Sequence, residues 1–172
     1  MVEISANEER CKKMDKKDIV DAFIKDQNEM LKTHGWYIHC LMNGLTDRIC
    51  GEICNDLIEG SCDMHTHGLN DLGCSELRIV SDYHGHIINM KILNAIGREL
   101  VNFKIPCGMV PIPITVVVGD NMKINVTFIP DIDEPNTLRL ILYSEDGTLY
   151  SNQFKSLNEL YKNRQKCVEE GE

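Results

Sequence analysis

The strongest constraint on the fold of this chain is a stripe of apolar residues between positions 87 and 103. The stripe returns every three or four residues and consists of Ile88, Ile92, Leu93, Ile96, Leu100 and Phe103. Because an α-helix turns once in 3.6 residues, this spacing puts all of these side chains on one side of a helix. The sequence therefore predicts a helix over 87–103, whose apolar side needs a second layer to cover it.

The rest of the chain alternates between helical and strand-like patterns. A second amphipathic helix is predicted from Lys16 onward, and Gly35 is suited to end it. Strands are predicted where short runs are rich in apolar, β-branched or aromatic residues, namely at 36–42, 63–67, 76–81, 114–118, 123–129 and 138–143. The turn Gly119-Asp120-Asn121-Met122 predicts that two of these strands form a hairpin.

This order of elements predicts an α+β fold. A length of 172 residues favours one domain. We expect a mixed or antiparallel sheet of about six strands, with the two main helices packed on one face. The domain is expected to span residues 16–155, preceded by a flexible N-terminus at 1–15 and followed by a polar helix or tail at 156–172.

The net charge disfavours nucleic-acid and membrane partners. The chain has 18 basic and 27 acidic residues, which gives a formal charge of −9. Non-specific nucleic-acid binding depends on Lys and Arg displacing counterions, and anionic membrane surfaces repel such a chain for the same reason. No apolar leader or bilayer-length apolar run is visible, so a cytoplasmic protein with reduced cysteines is expected.

Three segments resemble a bacterial family. Lys32-Thr33-His34-Gly35-Trp36 joins the first helix to the first strand, His65-Thr66-His67-Gly68-Leu69 is followed by a Glu76-Leu77 pair in a strand, and Leu138 to Gly147 is a late strand ending in an Asp-x-Gly turn. Together they resemble a domain-of-unknown-function family, number four-two-six-two, over roughly residues 25–154. The resemblance implies no accepted activity, so it assigns no catalytic role.

Two pairs of histidines are candidate metal ligands. His65 and His67 are two residues apart, so on a strand their rings share one face, and His84 and His86 repeat the spacing. Four imidazoles could bind zinc or another borderline metal. The alternative is that the first pair are polar strand residues and the second pair cap a turn.

A second candidate zinc site combines Cys50, Cys54 and Cys62 with His65. These are the ligand types of a structural Cys₃His site, although the spacing C-x₃-C-x₇-C-x₂-H lacks the short C-x₂-C knuckle. If residues 49–57 are helical, Cys50 and Cys54 share a helix face, which also suits ordinary packing.

The leading functional hypothesis is a module that binds or sequesters a small ligand. Its site would comprise His65, His67, Gly68, Arg78 and His84, because Gly68 allows close backbone approach and the others offer polar groups. One alternative is a metal-dependent, zinc-type hydrolase that uses the histidine pairs, and another is a phage or bacterial-conflict accessory protein. The sequence has no Gly-x-Ser-x-Gly elbow and no Gly-rich phosphate loop, and it does not decide whether the protein is an enzyme.

The hairpin also suggests self-association. The apolar run Ile114 to Val118 could leave an exposed sheet edge, and such edges are often protected by pairing with another strand. A homodimer is therefore expected.

Overall fold

A mixed β-sheet organises the structure, a computed structural model that describes residues 16–42, 57, 61–81, 86–150 and 153–160. Its helices are α1 (Lys16–His34), α2 (His86–Asn102) and the short α3 (Leu157–Leu160), with a 3₁₀ turn at Asn70–Leu72. Its strands are β1 (Tyr37–Met42), β2 (Cys62–His67), β3 (Glu76–Ser81), β4 (Ile114–Val118), β5 (Met122–Pro130) and β6 (Thr137–Ser144). The predicted six-stranded, single-domain α+β fold with two main helices is confirmed.

The strands lie in the order β1-β2-β3-β6-β5-β4. β3 and β6 are parallel, and the other neighbouring pairs are antiparallel, including the predicted β4–β5 hairpin. A parallel pair needs a long crossover, and here α2 and the hairpin supply it. The sheet therefore has β1 at one edge and β4 at the other.

α2 covers one face of the sheet with the predicted apolar stripe. Ile92, Leu93, Ile96 and Leu100 are buried in the main core, against residues from β2, β3, β5 and β6. Phe103, the last residue of the predicted stripe, follows the end of α2 and is 71% exposed, so its predicted place in the stripe is wrong. Gly97 lets the helix approach β1, because a Cβ at this position would stand 2.8 Å from the ring of Trp36. The ring therefore occupies the space that any other residue at position 97 would need.

α1 does not share that face, so the expectation of both helices on one face is wrong. Ile38 and Cys40 pack against the α2 core, whereas Tyr37 and His39 alternate with them and face the other way. The α1 residue Phe23 contacts both Tyr37 and His39, at ring-centroid distances of 6.4 Å. β3 and β6 are buried almost continuously rather than in alternation, and such strands need cover on both faces.

The second face has its own small core. Leu57, Val80, Leu157 and Leu160 form a buried cluster, with Leu41 packed against it. The expected C-terminal polar helix begins within the described residues as α3, which buries two leucines. The predicted flexible segment 1–15 lies outside the described residues, and so do residues 161–172 of the predicted tail.

None of the helices in the described ranges has both the length and the apolar character that a membrane-spanning helix requires.

Candidate metal centre

Three histidines from two adjacent strands meet on the face of the sheet that carries α1. His39 of β1 is paired directly with His65 of β2, and His67 follows two residues later on the same side of β2. Each of the three rings offers one nitrogen, and these three nitrogens lie within 4.8 Å of one another. The antiparallel register of β1 and β2 therefore builds a cluster of three imidazoles.

The cluster is enclosed by aromatic side chains. The Tyr37 ring stacks on His67 at 5.1 Å, and Phe23 of α1 lies beside His39. The rings of His65 and His67 meet edge to face at 4.8 Å, and those of His39 and His65 at 5.1 Å. His39 is 7% exposed and the side chain of His65 is 13% exposed, so the imidazoles are largely removed from bulk water.

The surroundings of His67 favour its neutral form. Burial lowers the pKa of His67, and the nearby rings of His65 and His39 lower it further. The neutral imidazole is the form that binds metal ions. The Nε2 atom of His67 is buried and has no hydrogen-bond partner among the residues that the structure describes. A buried polar atom in that state costs free energy, which a bound cation would offset.

A carboxylate lies beside the cluster. Asp63 Oδ1 is 3.3 Å from Nδ1 of His65 and accepts a hydrogen bond from Nε of Arg78 at 3.0 Å. Asp63 and Arg78 share a face of the sheet with His65, because Arg78 is the direct cross-strand partner of His65. The carboxylate adds negative charge next to the imidazoles, which favours a cation there.

Two buried arginines continue this row across the sheet. Arg78 of β3 pairs with Arg139 of β6, and both are held by acidic residues of the 131–134 loop. Asp131 bridges them, with Oδ1 3.4 Å from Arg78 Nη1 and Oδ2 accepting from Arg139 Nε at 2.9 Å. Glu134 lies 3.2 Å from Arg78, and Asp133 lies 3.2 Å from Arg139. Every arginine in this row thus has carboxylate partners, as buried charges require.

The connection between β2 and β3 fixes the end of the histidine strand. Glu76 Oε1 accepts hydrogen bonds from the backbone N–H groups of Gly68 and Asn70, and Oε2 accepts from the Thr66 hydroxyl. Thr66 Oγ1 in turn accepts from the backbone N–H of Leu77. These contacts hold the turn that follows His67.

The three nitrogens suit a zinc-sized ion after a small adjustment. Zinc binds imidazole nitrogen at about 2.0–2.1 Å in tetrahedral sites, so two ligand nitrogens stand roughly 3.3 Å apart. Nitrogens that lie within 4.8 Å of one another need to close by no more than about 1.5 Å to reach this geometry.

The structure brings together two of the predicted ligands. His65 and His67 lie in one cluster, and Arg78 is linked to it through Asp63. Gly68 shapes the turn, because its backbone N–H is bonded to Glu76. His84 lies outside the described residues, and His86 is the first residue of α2, whose described side chains cover the other face of the sheet.

The predicted Cys₃His site is not assembled by the described residues. Cys62 is buried on the α2 face and accepts a hydrogen bond from Asn89 of α2. His65 is three residues further along the strand and faces the opposite way, so one ion cannot bind both side chains. Cys50 and Cys54 lie outside the described residues.

His39 is the member of the cluster that the sequence patterns missed. It lies in a strand that was predicted from its aromatic and apolar residues, and no second histidine stands two positions from it in the chain. Alternation along β1 places His39 with Tyr37 on the polar face, and this signal was present in the sequence. No local pattern in the sequence indicates that His39 pairs with His65, because these two residues are 26 positions apart.

Comparison of the chain with family models, with curated proteins and with solved structures found no match. The resemblance to the bacterial family four-two-six-two therefore stays a prediction.

Proposed function

We propose that this protein binds a divalent transition-metal ion through His39, His65 and His67. The metal ion would then be the small ligand of the binding module that the sequence predicts. One observation carries it: three imidazole nitrogens converge within 4.8 Å on a largely buried face, and the Nε2 of His67 has no hydrogen-bond partner there among the described residues.

The donor set narrows the class of metal. All three donors are imidazoles, which suit zinc, copper, nickel and iron, whereas magnesium and calcium prefer oxygen ligands. The lowered pKa of His67 keeps one donor neutral near pH 7, as binding of such ions requires. Zinc is the natural probe because it needs no particular redox state.

The test is calorimetric titration of the protein, purified without a histidine tag, with zinc at pH 7.5. We expect one zinc per chain. His67→Phe should retain the ring that stacks on Tyr37 but lose both nitrogens, so its affinity should fall by more than the roughly 10–100-fold that an outer-shell partner is worth. Metal-free His67→Phe should be as stable as the wild type or slightly more stable, since a buried unbonded nitrogen is removed.

The control is His34→Phe, which changes an exposed histidine at the end of α1. It makes the same chemical substitution away from the cluster, so its zinc affinity should equal that of the wild type. Equal loss in both variants, or the absence of stoichiometric zinc binding by the wild type, would overturn the proposal.

A zinc-type hydrolase is the second candidate, and the number of ligands among the described residues favours it. Structural zinc sites usually have four protein ligands, while catalytic sites have three and keep one position open. The part of the chain that the structure describes supplies three. Hydrolysis of an activated ester by the zinc-loaded protein, lost in His67→Phe and retained in His34→Phe, would support this function.

We also propose that the protein works in a reducing compartment such as the cytoplasm. Within the described residues, Cys62, Cys74 and Cys107 are free thiols. Disulfides are rare where glutathione and thioredoxin keep thiols reduced. Thiol titration of protein from a cytoplasmic extract, quenched at lysis, should find these three cysteines reduced.

A further inference from the structure

Asp63 connects the histidine cluster to the buried arginine row. The same oxygen, Oδ1, faces Nδ1 of His65 at 3.3 Å and Nε of Arg78 at 3.0 Å. The side chains of Asp63 and Arg78 are each 2% exposed, so this contact is shielded from water. A carboxylate in such a position influences the imidazole more strongly than one at the surface does.

The guanidinium group of Arg78 determines which ring nitrogen of His65 carries the hydrogen. Arg78 stays protonated and only donates, so Asp63 Oδ1 acts as the acceptor. A neutral His65 ring contributes to this contact only if Nδ1 carries its hydrogen. Nε2 of His65 then has no hydrogen, and its lone pair is available to a metal ion.

Arg78 also prevents Asp63 from turning toward the cluster. Its remaining nitrogens are held by Asp131 at 3.4 Å and by Glu134 at 3.2 Å. With the guanidinium fixed at both ends, the carboxylate is kept beside Nδ1 of His65.

We propose that Asp63 is a positioning residue that fixes the Nδ1–H tautomer of His65 and so presents Nε2 to the metal. This inference rests on the proposed function and names the group that sets the strength of the site. Metal-bound histidines commonly donate their second N–H to a carboxylate, which fixes the ring and makes it a stronger ligand. Arg78 extends the arrangement by fixing the carboxylate itself.

The first measurement needs no variant and no metal. Long-range ¹H–¹⁵N spectra of the metal-free wild type at pH 8, with the imidazoles labelled, report which ring nitrogen carries the hydrogen. We expect His65 to be protonated at Nδ1 and bare at Nε2. A His65 ring protonated at Nε2 overturns the inference.

The second measurement compares zinc affinity in two variants. Asp63→Asn keeps the size of the side chain and removes its charge, so zinc should bind about 10–100-fold more weakly than to the wild type. Asp133→Asn is the matched control. It removes a carboxylate that contacts Arg139 and the backbone N–H of Leu157 but not His65, so its zinc affinity should be unchanged.

The outcomes separate this inference from the proposed function. If Asp63→Asn binds zinc as strongly as the wild type, the role of Asp63 is overturned but the proposed metal site is not. The same conclusion follows if zinc binding is weakened equally in Asp63→Asn and Asp133→Asn. A wild type that binds no zinc overturns the proposed function, and in the same sample the tautomer of His65 still supports or overturns its orientation by Asp63. If Asp63→Asn does not fold, the ¹H–¹⁵N spectra of the wild type decide whether His65 has the tautomer that the inference requires.

Discussion

Gly68, directly after His67, is the residue on which the shape of the site depends most. Its φ of 105° is a conformation that other residues rarely adopt, and a Cβ there would stand 2.5 Å from the carbonyl oxygen of Gly35. It would also lie 3.1 Å from the Cα of Trp36, so backbone rather than a flexible side chain fills the space. The end of the histidine strand and the end of α1 therefore meet through this glycine.

Substituting Gly68 tests this contact, with Gly73→Ala as the matched control. Gly73 also has a positive φ, but a Cβ there meets nothing within 4 Å. Gly73→Ala should lower the free energy of unfolding by only about 1–2 kcal/mol, the cost of a left-handed backbone conformation for alanine. Gly68→Ala adds a clash with backbone, so we expect a loss of about 3 kcal/mol or more in urea unfolding. Equal losses would show that the close approach to Gly35 is not needed.

At this scale the sequence predicted half of the candidate site. The spacing of His65 and His67 was enough to put both rings on one face, because alternation is a local property of a strand. His39 and Asp63 were not recognised as members of the site. Their roles depend on which strand lies beside which and in what register, and a single sequence does not contain that information.

At the scale of elements, the two helices differ in how they are held. α2 buries its stripe in the main core, whereas most of the described side chains of α1 are exposed and Phe23 is its one buried residue among them. A helix with so little buried surface depends on few contacts. α1 reaches the cluster through Phe23 and the turn through Leu31, whose side chain lies 3.3 Å from a Cβ built on Gly68.

Truncation of the α2 stripe should be costly. Ile92 is fully buried in the main core, so Ile92→Ala should lower the free energy of unfolding by about 2–5 kcal/mol. Met90→Ala, on the exposed side of the same helix, should change it by no more than about 0.5 kcal/mol. Both values come from urea titrations followed by circular dichroism. A negligible loss for Ile92→Ala would contradict the packing of α2 on the sheet.

The elements were predictable where their patterns are local. The stripe of α2, the β4–β5 turn and the glycine after α1 each specify their own segment, and the observed bounds agree with the predictions within a few residues. The face on which α1 packs was not predictable. Its apolar side is visible in the sequence, but the side of the sheet that it covers depends on the path from Gly35 into β1 and on the second core around Val80 and Leu157.

At the scale of the whole molecule, the two edge strands of the sheet differ in how they are covered. β1 lies beneath α1, while β4 is the other edge, and its residue Val117 is 60% exposed. A groove of about 630 Å³ runs beside β4, lined largely by apolar side chains of α2 and the 105–117 segment. An apolar edge strand with unpaired backbone groups is a template for another strand. The homodimer expected from the sequence stays a prediction, and this edge is where we place it.

A charge on the exposed side of β4 tests the predicted dimer. Two copies of β4 can pair antiparallel about a two-fold axis, and lysine on an edge strand is a common means of preventing such pairing. We expect the wild type to sediment as a dimer at micromolar concentration and Val117→Lys to sediment as a monomer with an unchanged circular dichroism spectrum. Ile24→Lys, which changes an exposed apolar residue on α1, should remain dimeric. A wild type that is monomeric at these concentrations, or a dimer that survives Val117→Lys, would rule out association through this edge.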